Sequence, residues 1–69
     1  MKTFKVGQVY RSKCLQRAKS SGTICARKDE ILTCVLDGNM KRLARYTKSG
    51  CEVSYHVSQF DRNNFVISK

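Results

Sequence analysis

A chain of 69 residues has room for one domain and one small core, read as a single domain over residues 1–69. Fourteen Lys and Arg against five Asp and Glu give a net charge of +9, which excludes an acidic mimic of nucleic acid. A hydrophobic content of 41% is too high for a disordered chain, and no apolar run approaches the roughly 20 residues a membrane helix requires. The opening Met1-Lys2-Thr3-Phe4-Lys5-Val6-Gly7 lacks the features of a signal peptide, so the expected location is cytoplasmic and no membrane partner is expected.

The charge is unevenly spread. Residues 1–28 carry eight bases and no acid, whereas the remaining 41 residues carry six bases and all five acids. Such a gradient points the field at a polyanion or an acidic protein surface.

Period-two alternation dominates the chain, and helical periodicity is nearly absent. Phe4-Lys5-Val6-Gly7-Gln8-Val9-Tyr10 reads as a first strand, with Gly7 as a bulge or bend. Residues 11–22 read as a long basic loop, with one helical turn available around Leu15 and Ala18 and a stop at Ser20-Ser21-Gly22. Thr23–Ala26 and Ile31–Leu36 read as a hairpin around Arg27-Lys28-Asp29-Glu30, pairing Ala26 with Ile31 and Ile24 with Thr33. Both faces of that hairpin are partly apolar, which leaves its inward side open. Asp37-Gly38-Asn39 is a turn.

A second hairpin turns at Ser49-Gly50. Its expected register pairs Tyr46 with Val53, Ala44 with Tyr55 and Arg42 with Val57 on a core face. Thr47 with Glu52, Arg45 with Ser54 and Leu43 with His56 then fall on the solvent or ligand face. Ser58-Gln59-Phe60-Asp61 has the spacing of a capping box and reads as one helical turn anchored by Phe60. Arg62-Asn63-Asn64 turns the chain into a last strand, Phe65-Val66-Ile67.

Five short strands in so short a chain are expected to close on themselves, because an open sheet would leave its apolar face and edges bare. The order of strand, long loop, two hairpins, helical turn and closing strand resembles an SH3-like barrel. The resemblance implies an all-β, small five-stranded barrel, with the long basic loop after the first strand and the helical turn before the last. Phe4–Tyr10 and the stretch Tyr46–Phe65 also resemble short uncharacterised bacteriophage and prophage proteins. The signalling SH3 domains grip proline-rich peptides with a tryptophan, a proline and an acidic loop. This chain has no Trp and no Pro, and its corresponding loop is basic, so that function does not carry over.

Catalysis has little to stand on. His56 is the sole histidine, and its odd spacing from Cys51 along a strand sets the two on opposite faces. No close carboxylate pair offers an acid and a base, and Gly22, Gly38 and Gly50 read as turn residues, not a phosphate cradle. Cys14, Cys25, Cys34 and Cys51 show no C-x-x-C spacing, and read as free thiols filling apolar space. No metal, cofactor or enzymatic activity is expected.

Binding is better supported. Arg11, Lys13, Arg17 and Lys19 lie on one basic loop that can reach phosphates, with Lys41 and Arg45, and Arg27 and Lys28 at a hairpin tip, extending the surface. Among the aromatics, Tyr46 and Tyr55 fall on the expected core face, which leaves Tyr10 as the candidate to stack a base. The expected partner is nucleic acid, DNA or RNA, held mainly by its phosphates. The alternative is an acidic surface of a host protein, bound by an accessory or inhibitory factor. A third role is structural, through pairing of an edge strand with a second copy.

Overall fold

A computed structural model of the chain describes residues 3–68. Met1, Lys2 and Lys69, two of them among the bases counted above, lie outside the described residues. The fold is all-β. It contains a five-stranded antiparallel sheet in the order β6-β5-β4-β1-β7 and a separate two-stranded sheet, β2-β3. The strands are β1 Val9–Ser12, β2 Gln16–Arg17, β3 Ile24–Ala26, β4 Ile31–Asp37, β5 Met40–Tyr46, β6 Glu52–His56 and β7 Phe65–Ser68. The large sheet is not closed: among the described residues, β6 and β7 are edges with no strand paired between them.

The alternation from Phe4 to Tyr10 is only half realised as strand. Gly7, at φ +88°, sits in a turn in which the Gln8 amide donates to the Lys5 carbonyl, and β1 begins at Val9. Phe4 nonetheless turns inward, where its ring meets Tyr10 and Phe65 edge-to-face at 5.2 and 5.3 Å. The expected basic loop 11–22 is shorter than its sequence implied, and no helical turn forms around Leu15. Arg11 and Ser12 complete β1, and Gln16–Arg17 pair with β3.

The hairpin expected between Thr23–Ala26 and Ile31–Leu36 does not form. The register is Gln16↔Ala26 and Arg17↔Ile24 on one side, and Val9↔Thr33, Tyr10↔Leu32 and Arg11↔Ile31 on the other. The cause lies in the turn. Asp29 takes a positive φ of 67°, its amide donates to the Ser12 carbonyl, and the Ser12 amide donates to Glu30. The end of β1 thereby captures the turn and draws β4 alongside itself. Cys25 and Ala26 of β3 then share one core with Leu32 and Cys34 of β4, which explains why both segments carry buried apolar residues.

β4 and β5 are joined through Gly38-Asn39, with Asp37 opposite Met40 and only Gly38 at positive φ. That is the pattern of a two-residue hairpin with glycine first. The next hairpin departs from expectation by one residue. The observed pairs are Arg42↔His56, Leu43↔Tyr55, Ala44↔Ser54, Arg45↔Val53 and Tyr46↔Glu52. The loop has three residues, Lys48-Ser49-Gly50, closed by the Thr47 amide donating to the Cys51 carbonyl, with Gly50 at φ +87°. A left-handed glycine ending a three-residue loop is a common hairpin closure. A slip of one residue exchanges the faces of a strand. β6 keeps Tyr55 against the core as expected, while β5 turns Leu43 inward and Tyr46 outward.

Two short 3-10 turns follow. Val57–Gln59 is capped by His56, whose Nδ1 accepts from the Ser58 amide at 3.0 Å, so the cap is the histidine and not Ser58. Arg62–Asn64 is capped by Asp61, whose carboxylate accepts from the Asn63 amide. Between them Phe60 is buried, its ring 5.5 Å from Phe65, as its anchoring position implied.

Candidate functional site

Three of the five acids are committed to arginines. Arg11 meets Asp29 at 2.9 Å, Arg42 meets Asp37 at 3.3 Å and Arg45 meets Glu30 at 3.4 Å. Among the described residues, Lys5, Lys13, Arg17, Lys19, Arg27, Lys28, Lys41, Lys48 and Arg62 have no carboxylate partner, and Glu52 and Asp61 are the acids left over. Folding therefore leaves the net positive field on the surface instead of neutralising it.

Two open clefts gather part of this charge. The first, about 480 Å³, is lined by the apolar Phe4, Val57 and Phe60, by the cations Lys19, Lys41 and Arg62, and by one acid, Asp61. Arg62 is held in place. Its guanidinium lies 4.8 Å from the centre of the Tyr10 ring, and Nη1 donates to the Phe65 carbonyl at 3.0 Å. The Lys41 ammonium donates to the Phe4 carbonyl at 2.9 Å, keeping two donors free. Lys19 arrives on the β2–β3 hairpin, whose end is tied to the first 3-10 turn by the Ser20 amide donating to Gln59 Oε1.

The second cleft, about 370 Å³, is lined by Arg27, Glu30, Arg45, Tyr46, Thr47 and Lys48. Its floor is the Arg45–Glu30 pair, whose side chains are only 14% and 24% exposed. Arg45 Nε also donates to the Cys25 carbonyl at 2.8 Å, and Glu30 Oε1 accepts from the Arg27 amide. The ring of Tyr46 stands out at the rim, 70% exposed, with Arg27 and Lys48 exposed beside it.

The expected site residues thus divide. Lys19 and Lys41 meet in one cleft, and Arg27 and Arg45 in the other. Lys13, Arg17 and Lys28 are exposed outside both, Arg17 donating to the Gly22 carbonyl. Arg11 is exposed but paired. Two expectations are corrected. Arg45 is a structural cation, because the one-residue register shift turns it inward onto Glu30 and Cys25. Tyr10 is 1% exposed, packed between Phe4 and Arg62 with its hydroxyl accepting from the Lys5 amide, so its ring faces are unavailable to a base. The exposed aromatic is Tyr46. Sequence reasoning also passed over Lys48 and Arg62. The signal for Tyr46 and Lys48 was the glycine ending Lys48-Ser49-Gly50, which closes a three-residue loop as readily as a two-residue one.

The thiols divide by burial. Cys25 and Cys34 are buried, and burial pushes both thiols above their ordinary range, Arg45 and Lys41 respectively pulling the other way. Cys14 and Cys51 are exposed. Among the described residues no group of three or more His, Cys, Asp or Glu is placed to hold a metal ion, and no helix is long and apolar enough to cross a membrane.

Comparison with protein-family models, with curated proteins and with solved structures finds no match to this chain.

Proposed function

We propose that this protein is a binding protein, not an enzyme, and that it holds nucleic acid through its phosphates on an SH3-like scaffold. One observation carries the reading. Among the described residues, three acids are paired with arginines, and nine bases without a carboxylate partner face the two acids left over. Phosphate contacts from such a surface release counterions and need no particular base sequence. The scaffold reading is supported by the order β6-β5-β4-β1-β7, with a two-stranded excursion between β1 and β4 and a 3-10 turn ahead of β7.

The test is charge reversal at the β2–β3 hairpin, Arg17→Glu with Lys19→Glu. Both side chains are exposed and neither is ion-paired among the described residues, so the fold should keep its melting temperature within a few degrees. Affinity for labelled DNA or RNA should fall by at least tenfold at low salt. Unchanged affinity would remove the hairpin from the site. A wild-type protein that binds no nucleic acid would overturn the proposal and turn the same surface toward an acidic protein partner.

A further inference from the structure

We infer that Tyr46 is a stacking platform for one unpaired nucleobase, which makes the nucleic acid bound here single-stranded. This rests on the nucleic-acid reading above and adds to it the kind of strand bound.

Phe4, Tyr10, Phe60 and Phe65 are buried, and Tyr55 packs against the same core. Tyr46 alone among the tyrosines and phenylalanines is exposed, at 70%. The shifted register sets it on the outer face of the large sheet. On that face the residues two positions back along β5 and across from it are small: Ala44, opposite Thr33 on β4 and Ser54 on β6. Ala44 itself is buried and Thr33 and Ser54 are half-buried, so the exposed Tyr46 ring stands beside short side chains.

The charges around the ring are arranged asymmetrically. Arg27 and Lys48 share its cleft, while Glu52 is its cross-strand partner. A phosphodiester chain is attracted to the cleft side and repelled from the β6 side. The backbone then passes Arg27 and Lys48 with its base turned over the Tyr46 ring. A duplex cannot use this platform, because its bases are already stacked on one another. Stacking on an exposed aromatic tolerates any base, in keeping with a site that reads phosphates first.

The experiment compares three ligands of equal length and label: an oligothymidine, an abasic deoxyribose-phosphate chain of the same charge, and a duplex. For wild-type protein the oligothymidine should bind about tenfold more tightly than the abasic chain. Tyr46→Ala should lose about that factor on the oligothymidine, leave the abasic and duplex affinities within about twofold, and so abolish the difference; Tyr46→Phe should retain it. Equal wild-type affinity for the oligothymidine and the abasic chain would overturn the stacking inference, as would an unchanged oligothymidine affinity in Tyr46→Ala. If charge reversal at Arg17 and Lys19 still weakens binding in that case, the phosphate reading stands without it. Failure of wild-type protein to bind any of the three ligands would overturn both.

Discussion

Replacing Glu30 by alanine should destabilise the protein by about 2–3 kcal/mol, although the residue is not a member of the hydrophobic core. Glu30 Oε1 lies 3.4 Å from Arg45 Nε and accepts from the Arg27 amide at 3.1 Å. With the Arg45 side chain 14% exposed, removal of the carboxylate leaves a guanidinium largely out of water with only the Cys25 carbonyl opposite it. Breaking a fully buried pair from one side costs about 3–5 kcal/mol; the partial exposure of Glu30 brings the figure down. In a domain of this size each kcal/mol lowers Tm by roughly 4–8 °C, so a drop of at least about 8 °C is expected. Urea and thermal melts of Glu30→Ala, Arg45→Met and the double variant would show the coupling directly. The double variant should be less damaged than the sum of the two, because the orphaned charge is gone. A Glu30→Ala protein within about 0.5 kcal/mol of wild type, with additive effects, would refute this reasoning. Arg45 would then be a solvated cation available to a ligand.

Other residues give sharper local tests. Phe65→Ala should cost about 3–5 kcal/mol and leave little folded protein by circular dichroism, since Phe65 packs edge-to-face with both Phe4 and Phe60. Gly50→Ala should cost about 1–2 kcal/mol in a urea melt purely through its φ of +87°, because an added Cβ meets nothing within 4 Å. Native protein treated with a small alkylating reagent should be modified at Cys14 and Cys51 and protected at Cys25 and Cys34 until denatured, as read by mass spectrometry. The buried thiols also set a pH trend. Their folded pKa values lie above the unfolded value, so their stabilisation is complete below about pH 8.5 and is lost as pH rises through the folded values. The stability advantage of wild type over Cys25→Ala/Cys34→Ala should therefore shrink as pH rises above about 8.5 in urea melts; an advantage that grows would contradict it.

The all-β class was legible because alternation and turn residues act locally: Gly38 turns the chain, Phe60 anchors it and Phe65 begins the last strand. What escaped was non-local. Ile24–Ala26 and Ile31–Leu36 look like hairpin partners by proximity, yet the hydrogen bonds from the Asp29 turn to Ser12 decide that β4 lies beside β1. On β5 the run Arg42-Leu43-Ala44-Arg45-Tyr46 offers an apolar residue to either face. Its assignment hung on whether two or three residues close the loop at Gly50. That one residue moved Arg45 inward and Tyr46 outward, and with them the candidate site. The basic character of the surface needed no register to be read, because exposed Lys and Arg side chains are the default outcome of burial physics.

Fluorescence anisotropy of labelled single- and double-stranded DNA and RNA, at about 50 and 200 mM salt, tests the central claim most directly. If about six of the protein's bases contact phosphates, affinity should be micromolar or better at the lower salt and fall at the higher by about 2.5 decades for single strands and about three for duplex. Weak binding with no salt slope, or no binding at the lower salt, would contradict the account.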